Sequence, residues 1–439
     1  MNKRSFFACI LLIGSLVSCQ TPPTAGTESP AVLPVAAADN GGINLTSGFG
    51  AVVVVDSLDG RVRHLTVRDN GDIYVKFART DDSLGIVALR DLDADGLADQ
   101  MERFGHFWGT GVRIHENYLY ATSDTDIFRY RFQDGQLLPD PEKETIVSGF
   151  PAQRSHEAKT IAFDKAGNMY VNIGAPSNSC QEKNREKGSV GIDPCPILEE
   201  HGGIWRFSAS EPGQSRESGV RYASGLRNCV AITWNDAENS LYALQHGRDQ
   251  LHDMWGELYD EKVSAILPAE EFVQISEGDD FGWPYCYYDQ IQGKKVLAPE
   301  YGGDGNEVGR CESKKDPLIG FPGHMAPNDL LFYTGDQFPE KYQNGAFIAF
   351  HGSWNRYPEP QGGYFVAFVP MENGQPSGEW EIFADGFAQL DTIISPRDAV
   401  HRPMGLSMGP DGSLYVADSQ QGKIWRIMYY GDQVARLDE

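Results

Sequence analysis

The sequence predicts an all-β fold, a six-bladed β-propeller of four-stranded antiparallel sheets. Three observations carry this reading. One phrase recurs six times: a turn with Gly or Asn, then a short run of aromatic and β-branched residues. It reads NGDIYVKF (70–77), ENYLYATS (116–123), GNMYVNIG (167–174), NSLYALQH (239–246), NGAFIAFH (344–351) and DGSLYVAD (411–418). Four copies are followed by a partner strand: DIFRYRF (126–132), GGIWRF (202–207), GYFVAFVP (363–370) and GKIWRIMY (422–429). Alternation with a period of two runs through these units. Helical periodicity is nearly absent; its best candidate is the short stretch from Met254 to Tyr259. Unequal sheet repeats set round an axis account for the recurrence and hide the sheet edges.

Taken in order, the chain begins MNKRSFFACILLIGSLVSCQ. Lys3 and Arg4 precede an apolar run from Phe6 to Val17, too short to span a bilayer and of the length of a signal-peptide core. The run ends in Leu16-Val17-Ser18-Cys19, which resembles the lipobox of bacterial lipoproteins. Residues 1–18 are therefore expected to be removed and Cys19 to carry lipid; an ordinary secretory signal is the alternative. This gives a cell-envelope protein that meets the membrane only through its lipid anchor. By analogy with lipoprotein sorting, Gln20 directs it to the outer membrane, facing the periplasm. Residues 19–42 are rich in Pro, Ala, Thr and Gly and read as a flexible tether. Residues 43–439 read as the propeller.

The longest gaps between copies lie before residues 239 and 344, and functional insertions are expected there. They hold Cys180 and Cys195, then Cys286 and Cys311, each pair flanking a polar loop. In an oxidising compartment each is a candidate staple, although the sequence leaves the pairing open. Cys229 stands in an apolar run and reads as a small buried hydrophobe. The net charge of −25, from 62 acidic and 37 basic residues, argues against a nucleic-acid partner, which needs a basic footprint.

Loops at the ends of propeller strands converge on the central channel, so polar residues beside the apolar runs form one candidate site. These are His156 in SHEAKTIAF, Arg227 and Asn228 in SGLRNCVAI, and the run from His246 to Asp249 in LQHGRDQL. His351 in FIAFHGSWNR, Arg402 in HRPMGLSMG and Arg63 in RVRHLTV complete the set. Guanidinium forks grip carboxylates in pairs, so arginines gathered in an acidic protein suit a multiply carboxylated ligand. Trp354 offers a face for a flat ring; core filling is its alternative. Arg356 is open to two readings, the pocket or a surface pair with Glu359.

The segments SHEAKTIAFDKAGNMYV, SGLRN, HGRDQL, FGWP, HGSWNR and RPMGLSMGPDGSLYVADSQQGKIWRI, in that order, resemble the soluble quinoprotein sugar dehydrogenases, the glucose/sorbosone dehydrogenase-like group in particular. The resemblance covers roughly residues 50 to 430. It implies a six-bladed propeller that binds pyrroloquinoline quinone (PQQ) and Ca²⁺, oxidises an aldose or related sugar, and passes electrons to a periplasmic cytochrome or quinone. It implies His156 as the general base, a task that suits a neutral imidazole. Arg227 and Asn228 match the cofactor-contacting pair, and the carbonyls of Gly247 and Arg248 match the Ca²⁺ ligands. The better-known glucose enzymes carry proline where this chain has Arg248, which adds a cation beside the metal. His351, Trp354 and Arg356 are implied to hold or cover the quinone, with Arg402 and Arg63 completing the ring.

A second signal is independent of that resemblance. In DLDADGLADQME, Asp91, Asp93, Asp95, Gly96, Asp99 and Glu102 fall at positions 1, 3, 5, 6, 9 and 12 of the EF-hand loop pattern. The preceding GIVALR reads as a strand, so an EF-hand-like Ca²⁺ loop without a true EF-hand is expected, structural in role. A solvated acidic turn is the alternative. Two other functions compete with the dehydrogenase: a propeller without cofactor serving as a binding scaffold, and a Ca²⁺-dependent lactonase. The Arg and His at the motif positions count against the lactonase, whose chemistry wants carboxylates and amides round a channel metal.

Overall fold

All six recurring phrases become the second strand of a blade. The computed structural model describes Met1 and residues 33–431; the predicted signal peptide, Cys19 and most of the tether lie outside the described residues. Blade 1 is built from Arg61–Val67, Ile73–Arg79, Ile86–Arg90 and Gln100–Phe104, and blade 2 from Val112–His115, Tyr118–Thr122, Ile127–Arg131 and Lys143–Ser148. Blade 3 takes Ile161–Phe163, Asn168–Ile173, Gly203–Ser208 and Val220–Ser224; blade 4 takes Ala231–Asn235, Ser240–Gln245, Glu270–Ile275 and Ile319–Phe321. Blade 5 runs Pro327–Phe332, Ala346–Phe350, Phe365–Val369 and Glu381–Asp385. Blade 6 has Pro403–Met408, Leu414–Asp418 and Ile424–Tyr429, and its outer strand is Phe49–Val55 from the other end of the chain. That strand pairs antiparallel with Ile424–Tyr429, from Phe49 opposite Tyr429 to Val55 opposite Ile424, and so closes the ring. The predicted six-bladed propeller is the observed fold.

The first strand of each blade touches the first strand of the next, blade 6 to blade 1 included. Sheets therefore face one another round the axis, and second strands are covered on both faces. Ala346–Phe350 and Leu414–Asp418 are buried at every position. At the closure Phe49 meets Phe338, Tyr342 and Phe383 edge-on, with ring centroids 4.8, 5.4 and 4.9 Å away. Each such buried ring stabilises the fold by about 1.5–3 kcal/mol. Near the axis, Asp329 accepts hydrogen bonds from Arg113 Nη2 (2.5 Å), Leu330 N (3.0 Å) and Leu406 N (2.8 Å), tying blades 2, 5 and 6 together.

The tether ends earlier than its composition suggests. Ala37 N donates to Ala51 O (2.8 Å), Asn40 Oδ1 accepts from Ala51 N (3.1 Å), and Tyr430 donates its hydroxyl to Pro34 O (2.6 Å). Small residues with free backbone groups can serve as partners for an outer strand, so packing begins at Pro34 rather than at residue 43. The expected helix near Met254–Tyr259 is two short helices, Leu251–Trp255 and Glu261–Ile266, the second capped by the Asp260 carboxylate on Val263 N. The long gaps carry the disulfides Cys180–Cys195 and Cys286–Cys311, and Cys229 is free and buried.

The acidic loop joins the third and fourth strands of blade 1. Ligand oxygens of Asp91, Asp93 and Asp99 lie within 4.8 Å of one another. Asp95 is not in that group; its carboxylate accepts from Leu97 N (2.8 Å). Glu102 also stays apart, on strand Gln100–Phe104, where it accepts from Gln100 Nε2 (2.6 Å). The chain is already extended at Gln100, so position 12 is carried along the sheet instead of turning back as it would on a helix. Gly96 adopts φ +94°, and a Cβ there would stand 2.9 Å from Val52 Cγ1.

Candidate active site

A central cavity of about 440 Å³ opens where the first strands of the blades begin and the second strands of blades 4 and 5 end. It lies within the range that encloses small ligands. His156, Arg63, Arg227, Asn228, Gly247, His351, Trp354 and Arg402, all singled out in the sequence, line it. They arrive from six inter-blade connections and strand ends separated by up to several hundred residues.

His156 precedes the first strand of blade 3 and adopts left-handed backbone, φ +56°. Such a conformation costs roughly 1–2 kcal/mol outside glycine. Gln153 Nε2 holds the turn by donating to the carbonyls of Ser155 (2.7 Å), His156 (2.8 Å) and Gly174 (3.0 Å). Gly174 must lack a side chain, since a Cβ would stand 2.7 Å from His156 Cβ. His156 Nδ1 lies 2.5 Å from Ala175 O. A carbonyl only accepts, so the proton sits on Nδ1 and the Nε2 lone pair is free. Burial, reinforced by the charge of Arg227, pushes the imidazole down to about 3. It is a neutral base over the whole physiological range.

Arg227 is 2% exposed and nearly saturated within the protein. Its Nε donates to Asn178 O (3.1 Å), Nη1 to Gly247 O (2.9 Å), and Nη2 to Asn178 Oδ1 (3.1 Å) and Asp249 Oδ2 (2.8 Å). Its charge is thus neutralised by Asp249, and it acts on the cavity chiefly as a scaffold. Asp249 also accepts from Arg185 Nη2 (2.6 Å) and Asn355 Nδ2 (3.0 Å). Burial opposes ionisation there, yet Arg227 and Arg185 together hold the carboxyl well below the usual range.

The opposite wall is cationic. Arg63 and Arg402 face the cavity with Arg61 beside them. Burial and then Arg61 push Arg63 down to about 10, and burial also lowers Arg402. Arg402 clamps the strand end of blade 5, donating from Nε to His351 O (3.0 Å) and from Nη2 to Gly352 O (2.6 Å). His351 Nε2 meets Ser419 Oγ at 2.7 Å. Burial, then Arg402 and Arg63, drive His351 well below its ordinary value, so it is neutral. Trp354 is 53% exposed at the mouth, its ring 5.9 Å from the Arg185 guanidinium.

Two side chains expected near the cavity are elsewhere. Arg248 does not line the cavity: its guanidinium runs to Glu300 (Nη2 to Oε1, 2.8 Å), both side chains almost fully buried. The extra cation beside the predicted metal position is therefore absent, because a buried carboxylate on the insertion claims it. Arg356 does not line the cavity either; it packs against Gly362, with only a 3.5 Å contact to Gly323 O, and makes no ion pair with Glu359 among the described residues. Titratable residues the sequence reading missed are Arg61, Asp124, Glu157, Glu270 and His324. Glu157 adjoins His156 and Arg61 stands two residues from Arg63; Asp124, Glu270 and His324 carried no local signal. Glu270 Oε2 accepts from Gly247 N (3.0 Å), and burial pushes its carboxyl up to about 8.

The residues fit an anionic planar quinone. Beyond burial, Arg61 and Arg402 both depress Arg63, and Asp124 and Glu157 of the same lining oppose them, so three guanidiniums stand against two carboxylates and leave an excess of positive charge for a ligand carboxylate. Asn355 Oδ1 is buried without a partner at the rim, ready to accept from a ligand. For Ca²⁺ the wall offers hard oxygens, the Gly247 carbonyl and Glu270, although Arg227 already uses one lone pair of Gly247.

The sequence model of the TrAA12-like family matches residues 43–430. A protein of Borreliella burgdorferi described as uncharacterized is 28% identical over 399 residues, covering 88% of this chain and 91% of its own. A Coprinopsis cinerea protein named pyrroloquinoline quinone-dependent pyranose dehydrogenase is 27% identical over 431 residues. The match covers 88% of this chain and 54% of that protein, so the chain spans about half its length. Among solved structures, the calcium structure of the Trichoderma reesei Carbohydrate-Active Enzymes Family AA12 protein superposes with TM-score 0.72 at 18% identity, covering 88% of this chain and 97% of that one. The holo PQQ domain of the Coprinopsis cinerea pyranose dehydrogenase gives TM-score 0.70 at 19% identity, with 88% and 97% covered.

Proposed function

Because the chain belongs to the TrAA12-like family, a group akin to the soluble PQQ sugar dehydrogenases, we propose that it is an oxidoreductase that uses PQQ and Ca²⁺ to oxidise a pyranose or related aldose. The observation that carries the proposal is the pairing of a neutral imidazole with a cationic wall across one cavity. Arg63, Arg402 and Arg61 would hold the carboxylates of the cofactor, with Trp354 over its plane. The Gly247 carbonyl and Glu270 are the oxygens that would hold the metal; the Arg248 carbonyl, one residue on, is the remaining expected ligand. When bound, PQQ supplies a two-electron oxidant. The chain supplies the rest: His156 Nε2 accepts the hydroxyl proton of the sugar carbon undergoing oxidation, and the Ala175 carbonyl steadies the imidazolium that results. Arg227 keeps Asn178, Gly247 and Asp249 in register beneath the base.

Electrons would leave to a periplasmic cytochrome or quinone, and the lipidated Cys19 would fix the protein to the envelope, facing the periplasm. The Asp91, Asp93 and Asp99 cluster would hold a second, structural Ca²⁺. The test is reconstitution of purified protein with PQQ and Ca²⁺, followed by dye reduction with a panel of pyranoses. Sugar-dependent turnover is expected, reduced by about 10²–10⁴-fold in His156→Ala. Full turnover in that variant would overturn the assignment of the base.

A further inference from the structure

Over blade 1 a second hollow, an open groove of about 700 Å³, shares Arg61, Ala78 and Glu157 with the central cavity. The two hollows therefore adjoin at these three residues, and the second extends outward over blade 1 as an arm. Four carboxylates (Asp59, Asp81, Asp82 and Glu157) and three guanidiniums (Arg61, Arg79 and Arg103) line the arm, with Thr80 between them. Few of these groups are committed. Arg103 donates to Asp59 O (3.0 Å) and stands 3.6 Å from Asp82, whereas the side chains of Arg61, Arg79, Asp81 and Glu157 make no ion pair or hydrogen bond among the described residues. Trp108 is not itself a lining residue but is hydrogen-bonded to one, donating its indole N–H to Thr80 Oγ1 (3.1 Å), and it is 41% exposed.

Charges of both signs, interleaved and nearly balanced, do not select an ion of either sign. They do match a neutral ligand with many hydroxyls, each of which donates to a carboxylate and accepts from a guanidinium. An exposed indole with its polar edge anchored offers the apolar face of a sugar ring a flat partner. We propose that this groove is a second saccharide subsite, and that the substrate is a disaccharide or longer glycan whose terminal ring enters the central cavity. The inference rests on the reading of that cavity as a sugar-oxidising site, and it adds where the rest of the substrate lies.

Two measurements test it. On protein loaded with PQQ and Ca²⁺, kcat/KM is compared for a pyranose and for the disaccharide carrying that pyranose at its reducing end. The disaccharide is expected to be favoured by about tenfold, and Trp108→Ala or Asp81→Ala to erase that preference while leaving the monosaccharide rate unchanged. In protein without cofactor, the disaccharide, and not the monosaccharide, is expected to change the tryptophan fluorescence, and the change to vanish in Trp108→Phe. Equal kcat/KM for both sugars with no effect of the substitutions, or a fluorescence response retained in Trp108→Phe, overturns the subsite. If no sugar is oxidised, the dehydrogenase reading falls, and the titration without cofactor still decides the groove.

Discussion

Asp249→Asn removes one charge from a cluster in which every partner is placed to use it. The carboxylate meets Arg227 at 2.8 Å and Arg185 at 2.6 Å, and Arg227 is 2% exposed. The amide is nearly isosteric, so packing survives, but a buried guanidinium is left without its counter-ion. Breaking a buried pair from one side costs about 3–5 kcal/mol. Arg185 is a third exposed, and its share is small because water screens it. Unfolding entropy of roughly 2.1 cal/mol/K per residue gives about 0.8 kcal/mol/K for some 400 residues, so the loss lowers Tm by about 4–6 °C. The assay is calorimetric or fluorescence-monitored melting of Asp249→Asn, Arg227→Gln and the double variant. If the cost is the orphaned charge, the double variant regains much of what the Asp249→Asn single variant loses, and the cycle shows a coupling of 1 kcal/mol or more. A single variant as stable as the parent, or strict additivity in the double, would refute the claim that Asp249 exists to neutralise Arg227.

Two further outcomes follow from packing and titration. His64 is 1% exposed, donates from Nε2 to Asn328 O (2.7 Å), and is pushed down to about 4, mainly by burial. Below pH ~6.5 the unfolded chain binds a proton that the native state refuses, so stability falls with falling pH, by about 2.7 kcal/mol from this residue at pH ~4.5. Urea midpoints at neutral and acid pH should therefore fall less in His64→Gln than in the parent; equal losses would mean that native His64 takes up the proton. Phe49→Ala, which empties the aromatic cluster at the ring closure, should cost about 3–5 kcal/mol in urea unfolding, and a loss below 1 kcal/mol would show that the closing strand is not where the ring is held.

What could be read from the sequence, and what could not, divides along a physical line. Second strands were legible because they are buried on both faces and flanked by turns, so their composition announces them. Phe49–Val55 was harder to place: nothing in FGAVVVV says which blade it completes, since that depends on a partner, Ile424–Tyr429, at the far end of the chain. Half of the site was legible for the same reason as the strands. His156, Arg227, His351 and Arg402 stand where apolar runs start or stop, and a propeller sends such positions to its axis. Glu270 lies inside a strand that reads as ordinary EEFVQI, and His324 in a loop of an insertion; their places in the cavity come from tertiary contacts alone.

The misplaced residues carry the same lesson in sharper form. Arg248 sits one residue from Gly247, past the end of the strand Ser240–Gln245, and its side chain turns into the insertion, where Glu300 holds it at 2.8 Å. Sequence proximity put a cation beside the metal; the buried Glu300 carboxylate takes it away. Arg61 and Arg63, two apart on the first strand of blade 1, both line the cavity while Val62 between them is buried in the blade packing. Simple alternation does not produce this: the register shifts on either side of Val62, and Leu65 packs in the same cluster as Val62. The cationic wall therefore depends on irregularities in that strand, which let Arg63 reach the axis while Val62 and Leu65 both stay in the core.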